Sequence, residues 1–298
     1  MNLYTHQDEN KRKTWLLMTS FFILIIILGW FFSYYFNDQI ILVVAIVFSV
    51  LMNIFSYWFS DKIVLRLHKA MPVTRQEHFD LWNATENLAI TAGLPMPGLY
   101  IVNDPAPNAF ATGRDKDHAV ICVTSGLLNI LDKNELEGVI AHELSHIGNR
   151  DILLSTVLVV LAGFVALLSD FFVRSHLWGG RSDDNNKVGG VMMIIGIALT
   201  ILAPLVATVI RLAVSRKREF LADSSGALLT RYPEGLASAL RKISSAPNTL
   251  KTAHNATAHL FIASPFAVRG KKVSAMQKLF LTHPPVEERI QALLGRQI

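Results

Sequence analysis

Apolar residues are concentrated in four blocks rather than spread along the chain. Residues 15–36 (WLLMTSFFILIIILGWFFSYYF) carry no charge, and residues 40–60 form a second uncharged run after only Asn37, Asp38 and Gln39. A bilayer core takes about 20 apolar residues in helical form. Each run therefore predicts a membrane span, and the short link makes the pair an antiparallel hairpin. Residues 152–173 and 191–212 predict a second hairpin, joined by the polar segment 174–190. A cleaved signal peptide does not account for residues 15–36. The run is longer than the usual apolar core of about 7–15 residues, and no small-residue cleavage site follows it.

Two polar stretches remain, 61–151 and 213–298. Apolar positions at helical spacing predict a helix over 76–92, stopped by Gly93, Pro95, Pro97 and Gly98. Residues 99–102 and 118–123 are short β-prone runs, and the segment between them is a loop or an irregular edge. Helix returns after Thr124, over 213–243 and in the tail from Pro285. Residues 249–272 have weak periodicity and are expected to be mobile. The chain thus divides into a first hairpin (1–60), a polar part (61–151), a second hairpin (152–212) and a second polar part (213–298).

Charge gives this layout a direction. Lys11, Arg12 and Lys13 precede the first span; Lys62, Arg66, Lys69 and Arg75 follow the second; Arg211, Arg216, Lys217 and Arg218 lie at and beyond the end of the fourth. The 174–190 loop has fewer cations, partly offset by Asp183 and Asp184. By the positive-inside bias, both termini and both polar stretches face the cytoplasm. The net charge of +5 is then a topology and lipid-headgroup signal, and no nucleic-acid partner is expected. A single cysteine, Cys122, excludes an internal disulfide and a cysteine-rich metal module.

The sharpest chemical signal is His142-Glu143-Leu144-Ser145-His146. On a helix, positions i and i+4 share a face, so both imidazoles can reach one metal ion while Glu143 stands beside the open position as a base. Asp132 and Glu135 read as a capping box for that helix, and Leu136, Val139, Ile140 and Leu144 as its apolar stripe. Catalytic zinc takes three protein ligands, and Glu219 is the candidate for the third. Asp223, one turn further on, can hold a ligand histidine through its other ring nitrogen. His146 lies shortly before residue 152 and Glu219 shortly after 212. At ~1.5 Å per helical residue, both are roughly 10 Å from the hydrocarbon boundary.

His142–His146, a hydrophobic hairpin and then Glu219-Phe220-Leu221-Ala222-Asp223 resemble the HtpX-type membrane metalloproteases, relatives of the type I CAAX prenyl proteases. Asn108-Ala109-Phe110-Ala111-Thr112-Gly113 and His283-Pro284-Pro285 followed by Arg289 are similar to further segments of that family. The resemblance implies a membrane α-helical protein, with four transmembrane helices in two hairpins. It also implies a cytoplasmic, mainly-α, zincin-like α+β catalytic domain with a small β-sheet. It implies one Zn2+ per chain held by His142, His146 and Glu219, with Glu143 as general base and His283 or Arg289 stabilising an oxyanion. Asn108, Ala109 and Phe110 would line the cleft as an edge that takes an extended peptide. From the residues alone, that segment could be a hairpin turn, His283 a helix cap, and Arg289 a partner of Glu287 or Glu288. His254 and His259 are read as structural. A bacterial inner membrane, protein substrates and a quality-control role are further implications; oligomeric state is not. A CAAX-type prenyl peptidase and a non-catalytic zinc-binding scaffold or chaperone are the competing functions.

Overall fold

The computed structural model describes residues 3–161, 163–164, 216–247, 250–251, 257–264 and 283–295. Most of the second expected hairpin, together with His254, lies outside the described residues.

The first two helices, α1 (Leu3–Phe36) and α2 (Gln39–Leu67), form the expected hairpin. Asn37 turns the chain at a φ of 52°, and the Asp38 carboxylate accepts from the Ile40 N–H at 2.9 Å to cap α2. Gly29 faces Ala45 across the pair, a small-residue contact that lets two helices approach closely without a large apolar driving force. Ile23, Ile27, Val43, Val44 and Val47 are exposed on the outside. Trp30, Tyr34 and Tyr35 sit towards one end, and Trp15 and Trp58 towards the other, as aromatic side chains do at the two interfaces of a bilayer. Among the described residues these two helices are long and apolar enough to cross a membrane.

The soluble body is built on a four-stranded mixed sheet: β1 (Met71–Pro72), β2 (Gly98–Val102), β3 (Ala109–Thr112) and β4 (Val120–Thr124), in the order β1-β2-β4-β3. Strand β4 is parallel to β2 and antiparallel to β3, and every one of its residues is buried. β3 is the edge, within the segment that sequence alone left irregular. Its four residues are all buried, so it shows no alternation of apolar and polar positions.

Helices α3 (Phe79–Ala92), α4 (Ser125–Ile130) and α5 (Lys133–Gly148) complete the first polar stretch. The Asp132–Glu135 capping box is formed on both sides. Leu136, Val139, Ile140, Leu144 and Ile147 of α5 face a core shared with Leu81 and Leu88 of α3 and Ile121 of β4. Burying each such side chain contributes about 1.5–3 kcal/mol. α6 (Asp151–Leu161) then leaves α5 at 83°, with Arg150 at a φ of 58° in the elbow. Val157 and Leu161 of α6 pack on Met18 and Phe21 of α1.

The second polar stretch folds onto the same core as α7 (Arg216–Thr230), α8 (Pro233–Ser245) and α9 (Val286–Leu293). The helix expected over 213–243 is broken. Arg231 turns at a φ of 54° and Pro233, which cannot donate to the preceding turn, opens α8. α7 and α8 approach α5 through glycines: a Cβ on Gly226 would lie 3.0 Å from the His142 nitrogen, and one on Gly138 2.7 Å from the Leu236 nitrogen. Gly138→Ala is therefore expected to cost about 1–3 kcal/mol by overpacking. This would be read as an earlier unfolding midpoint of the detergent-solubilised protein; an unchanged midpoint would contradict that close approach.

Candidate metal centre

The capping box and apolar stripe hold α5 rigid, so His142 and His146 project from one side, four residues apart. α7, seated on α5 through Gly226, brings Glu219 opposite them. His142 Nε2 and His146 Nε2 are 3.2 Å apart. Glu219 Oε1 is 3.6 Å from His146 Nε2, and Oε2 is 4.0 Å from His142 Nε2. Tetrahedral ligands bound at about 2.0–2.2 Å are separated by roughly 3.3–3.6 Å, so the three groups have the spacing of a coordination shell. His142, His146 and Glu219 form a cluster able to hold a metal ion among the described residues.

The far side of each imidazole is occupied by a carboxylate. Asp151 Oδ2 lies 2.9 Å from His146 Nδ1. Asp223 Oδ1 lies 2.9 Å from His142 Nδ1, though off the ideal hydrogen-bond line. With Nδ1–H directed at a carboxylate, Nε2 carries the lone pair. Two ring nitrogens facing each other at this separation, with a carboxylate opposite, suit a shared cation, and this is the observation that makes the donor set fit a metal.

Glu219 is oriented in turn by His283, whose Nδ1 lies 3.0 Å from Oε2. Burial works against ionising Glu219, but His283, His146 and Arg289 hold its pKa well below the ordinary carboxylate range. His146 is partly buried, which works against its charge, yet Asp151 and Glu219 raise its pKa to about 9; burial pushes that of His142 down. The Glu143 carboxylate is 1% exposed, and neither oxygen has an aligned partner among the described residues. Burial, helped by the nearby Glu219 charge, lifts its pKa to about 7, the range suited to a group that takes and returns a proton.

Arg289 has no exposure, and its partner is neither Glu287 nor Glu288. Its Nε and Nη2 donate to both oxygens of Asp223 at 2.8 and 2.7 Å, and Nη1 donates to the Ile262 carbonyl at 2.7 Å. All three nitrogens are engaged, which leaves Arg289 a brace for Asp223 and Glu219. His283 does not cap α9; its Nε2 is buried without a partner among the described residues.

The stretch expected to be mobile is packed over residues 257–264. Phe261 bridges to Phe110, Ile262 N–H donates to the Ala109 carbonyl at 2.9 Å, and Asn108 Nδ2 donates to the Ala263 carbonyl at 3.0 Å. The reason is chemical: β3 offers outward groups, and this apolar segment (AHLFIA) supplies complementary ones. Asn108, Ala109 and Phe110 are thus buried beneath a segment of the same chain. His259 Nε2 donates to the Ser155 carbonyl at 3.2 Å, and burial lowers its pKa to about 4. With Leu260, Phe261 and Ile262 it helps enclose a space of about 30 Å³ beside His142, Glu143, His146 and Glu219.

The profile of peptidase family M48 matches residues 75–297. The chain belongs to peptidase family M48. It is similar along most of its length to proteins described as "Protease HtpX homolog". That of Caldanaerobacter subterraneus subsp. tengcongensis is 48% identical over 296 residues, covering 98% of this chain and 97% of the relative. That of Tropheryma whipplei strain Twist is 49% identical over 230 residues, covering 76% of this chain and 77% of the relative. Among solved structures, the crystal structure of S. mikatae Ste24p superposes with a TM-score of 0.52 at 19% identity, over 97% of this chain and 67% of that one; this likeness concerns the fold. The chain is thus an HtpX-type M48 membrane metalloprotease.

Asp151 escaped the sequence reading. Its signal is a carboxylate five residues after His146 in Ile147-Gly148-Asn149-Arg150-Asp151, the last residue of the first polar stretch, where nothing in the spacing ties it to the histidine. For the M48 site, Arg289→Met strands the Asp223 carboxylate and is expected to cost about 3–5 kcal/mol of stability. Arg289→Lys should recover only part, since an ammonium cannot span both oxygens. Denaturant unfolding of the solubilised protein measures both; equal stability of wild type and Arg289→Met would contradict the brace.

Proposed function

We propose that this M48 protein is a zinc endopeptidase with one Zn2+ held by His142, His146 and Glu219, cutting polypeptide segments at the cytoplasmic face of a bacterial inner membrane. The observation that carries the reading is the buried Glu143 carboxylate, with no aligned partner among the described residues, beside a metal-competent His–His–Glu cluster. A purely structural metal site has no use for such a base, which speaks against a scaffold.

A zinc ion there supplies Lewis acidity, polarising a carbonyl and acidifying water. The residues do the rest. Glu143, with a pKa near neutrality, accepts the proton of the attacking water and delivers it to the leaving amine. His283 keeps Glu219 in place through Nδ1, and its Nε2 is the group it has left to meet a developing oxyanion. Asp223 and Asp151 fix the two ligand rings. The outward edge of β3 is the natural place for an extended peptide, with backbone hydrogen bonds giving affinity without sequence preference. A substrate strand reaches it by replacing residues 260–262.

The membrane supports the choice of substrate. The basic residues flanking the apolar runs 15–36 and 40–60 favour a cytoplasmic catalytic body, and α6 leaves α5 directly towards α1. A site so close to the anchor reaches juxtamembrane segments of membrane proteins, misfolded ones among them. Four spans in two hairpins and cytoplasmic termini belong to this reading.

Glu143→Gln is the direct test. Wild type is expected to cleave an unfolded membrane protein in detergent, to lose activity with a chelator and to regain it with zinc. The variant should bind zinc normally and turn over about 10²–10⁴-fold more slowly. Substantial activity of the variant at full zinc occupancy would sink the general-base role. Cleavage confined to a farnesylated peptide would favour a prenyl peptidase instead.

A further inference from the structure

The cytoplasmic extension of α1 reaches the metal centre. Asn10 is 4% exposed, although it lies before the apolar run. Its Nδ2 donates to Asp151 Oδ1 at 2.7 Å and to the Asn149 carbonyl at 3.1 Å. One turn earlier, Gln7 Nε2 donates to the Gly148 carbonyl at 2.7 Å. One turn later, the buried Thr14 hydroxyl donates back to the Asn10 carbonyl at 2.9 Å. Gln7 and Asn10 thus grip the end of α5 and its elbow into α6.

Asp151 is the carboxylate that faces His146. It is 4% exposed, with Oδ2 on His146 Nδ1 at 2.9 Å. Its other oxygen is shared between Asn10 and Arg218 Nη1, the latter at 3.4 Å. A buried carboxylate with one oxygen on an imidazole needs the other oxygen satisfied, or it rotates to find a donor. The shorter contact comes from α1. Arg218, from the first turn of α7, is too far for a good hydrogen bond and provides mainly charge.

We propose that Asn10 is a positioning residue for the metal centre: it fixes the Asp151 carboxylate, and through it the ring of His146, so that the first membrane helix completes the site. Nothing in the His-Glu-x-x-His motif requires this contact. It ties the geometry of a ligand to an element about 140 residues away in sequence, at the start of the membrane anchor. The inference rests on His146 being a metal ligand.

The test uses the full-length protein in detergent, with Asn10→Ala, Asn10→Gln, Asp151→Asn, Gln7→Ala and His146→Ala. Three readouts are taken: zinc affinity by chelator competition, the visible spectrum of the Co2+-substituted protein, and thermal unfolding of the metal-free protein. Loss of a group that orients a metal-ligating histidine weakens metal binding about 10–100-fold. Asn10→Ala and Asp151→Asn should both show this and alter the Co2+ spectrum, with Asn10→Gln intermediate. Gln7→Ala, which removes a neighbouring hydrogen bond that does not touch Asp151, should lower the unfolding temperature alone. Wild-type affinity and spectrum in Asn10→Ala, or matched effects of Asn10→Ala and Gln7→Ala on all three readouts, would overturn the proposal. If His146→Ala binds zinc as tightly as wild type, the ligand assignment itself fails, whatever Asn10→Ala does.

Discussion

Arg289 brings a full positive charge to a position with no exposure, and Asp223 meets it with both carboxylate oxygens. Most of the site depends on that pair. Asp223 also faces His142, and Glu219 lies 3.8 Å from the same guanidinium. Without the arginine, two carboxylates from one helix would share a dry pocket with Glu143, and at least one would have to take up a proton. With it, Asp223 keeps a pKa of about 2 and Glu219 stays ionised. Glu143 alone is left with the charge balance of a proton carrier. The same guanidinium donates to the Ile262 carbonyl, so the segment over β3 is anchored to the site's charge network as well as to the sheet edge.

A second constraint is geometric. The helix that carries His142 and His146 ends where the one packed on α1 begins, and the 83° elbow between them is held by side chains from α1. The catalytic body is therefore not a separate globule on a tether. Its ligand helix, its elbow and its membrane hairpin share buried contacts, and Met18 and Phe21 of α1 continue them into α6.

Much of this was readable in the sequence because it repeats or spaces regularly. The hairpin of α1 and α2 follows from two charge-free runs and a short link. The α5 helix follows from its capping box and apolar stripe, and the His142–His146 pairing from helical period. Glu219 could be proposed from the ligand count of catalytic zinc, and the HtpX-type resemblance pointed to the same residue. What could not be read are contacts that join distant segments. Arg289 had nearby carboxylates at Glu287 and Glu288, and local spacing gives no hint that it instead spans to Asp223. Asn10 and Asp151 sit at the polar margins of expected spans, where charge and polarity are explained by topology alone. The 257–264 segment has no periodicity because its order comes from pairing with β3 rather than from its own pattern. The break at Arg231 was signalled by Pro233 and overlooked in a long helical-looking run.

X-ray absorption at the zinc edge, on purified full-length protein with its metal content determined, tests the proposed centre most directly. One zinc per chain should show two imidazole nitrogens and only oxygen besides, all at about 2.0–2.2 Å, with no sulfur shell. Absence of bound zinc, a single imidazole, or sulfur at about 2.3 Å would contradict a centre built from His142, His146 and Glu219.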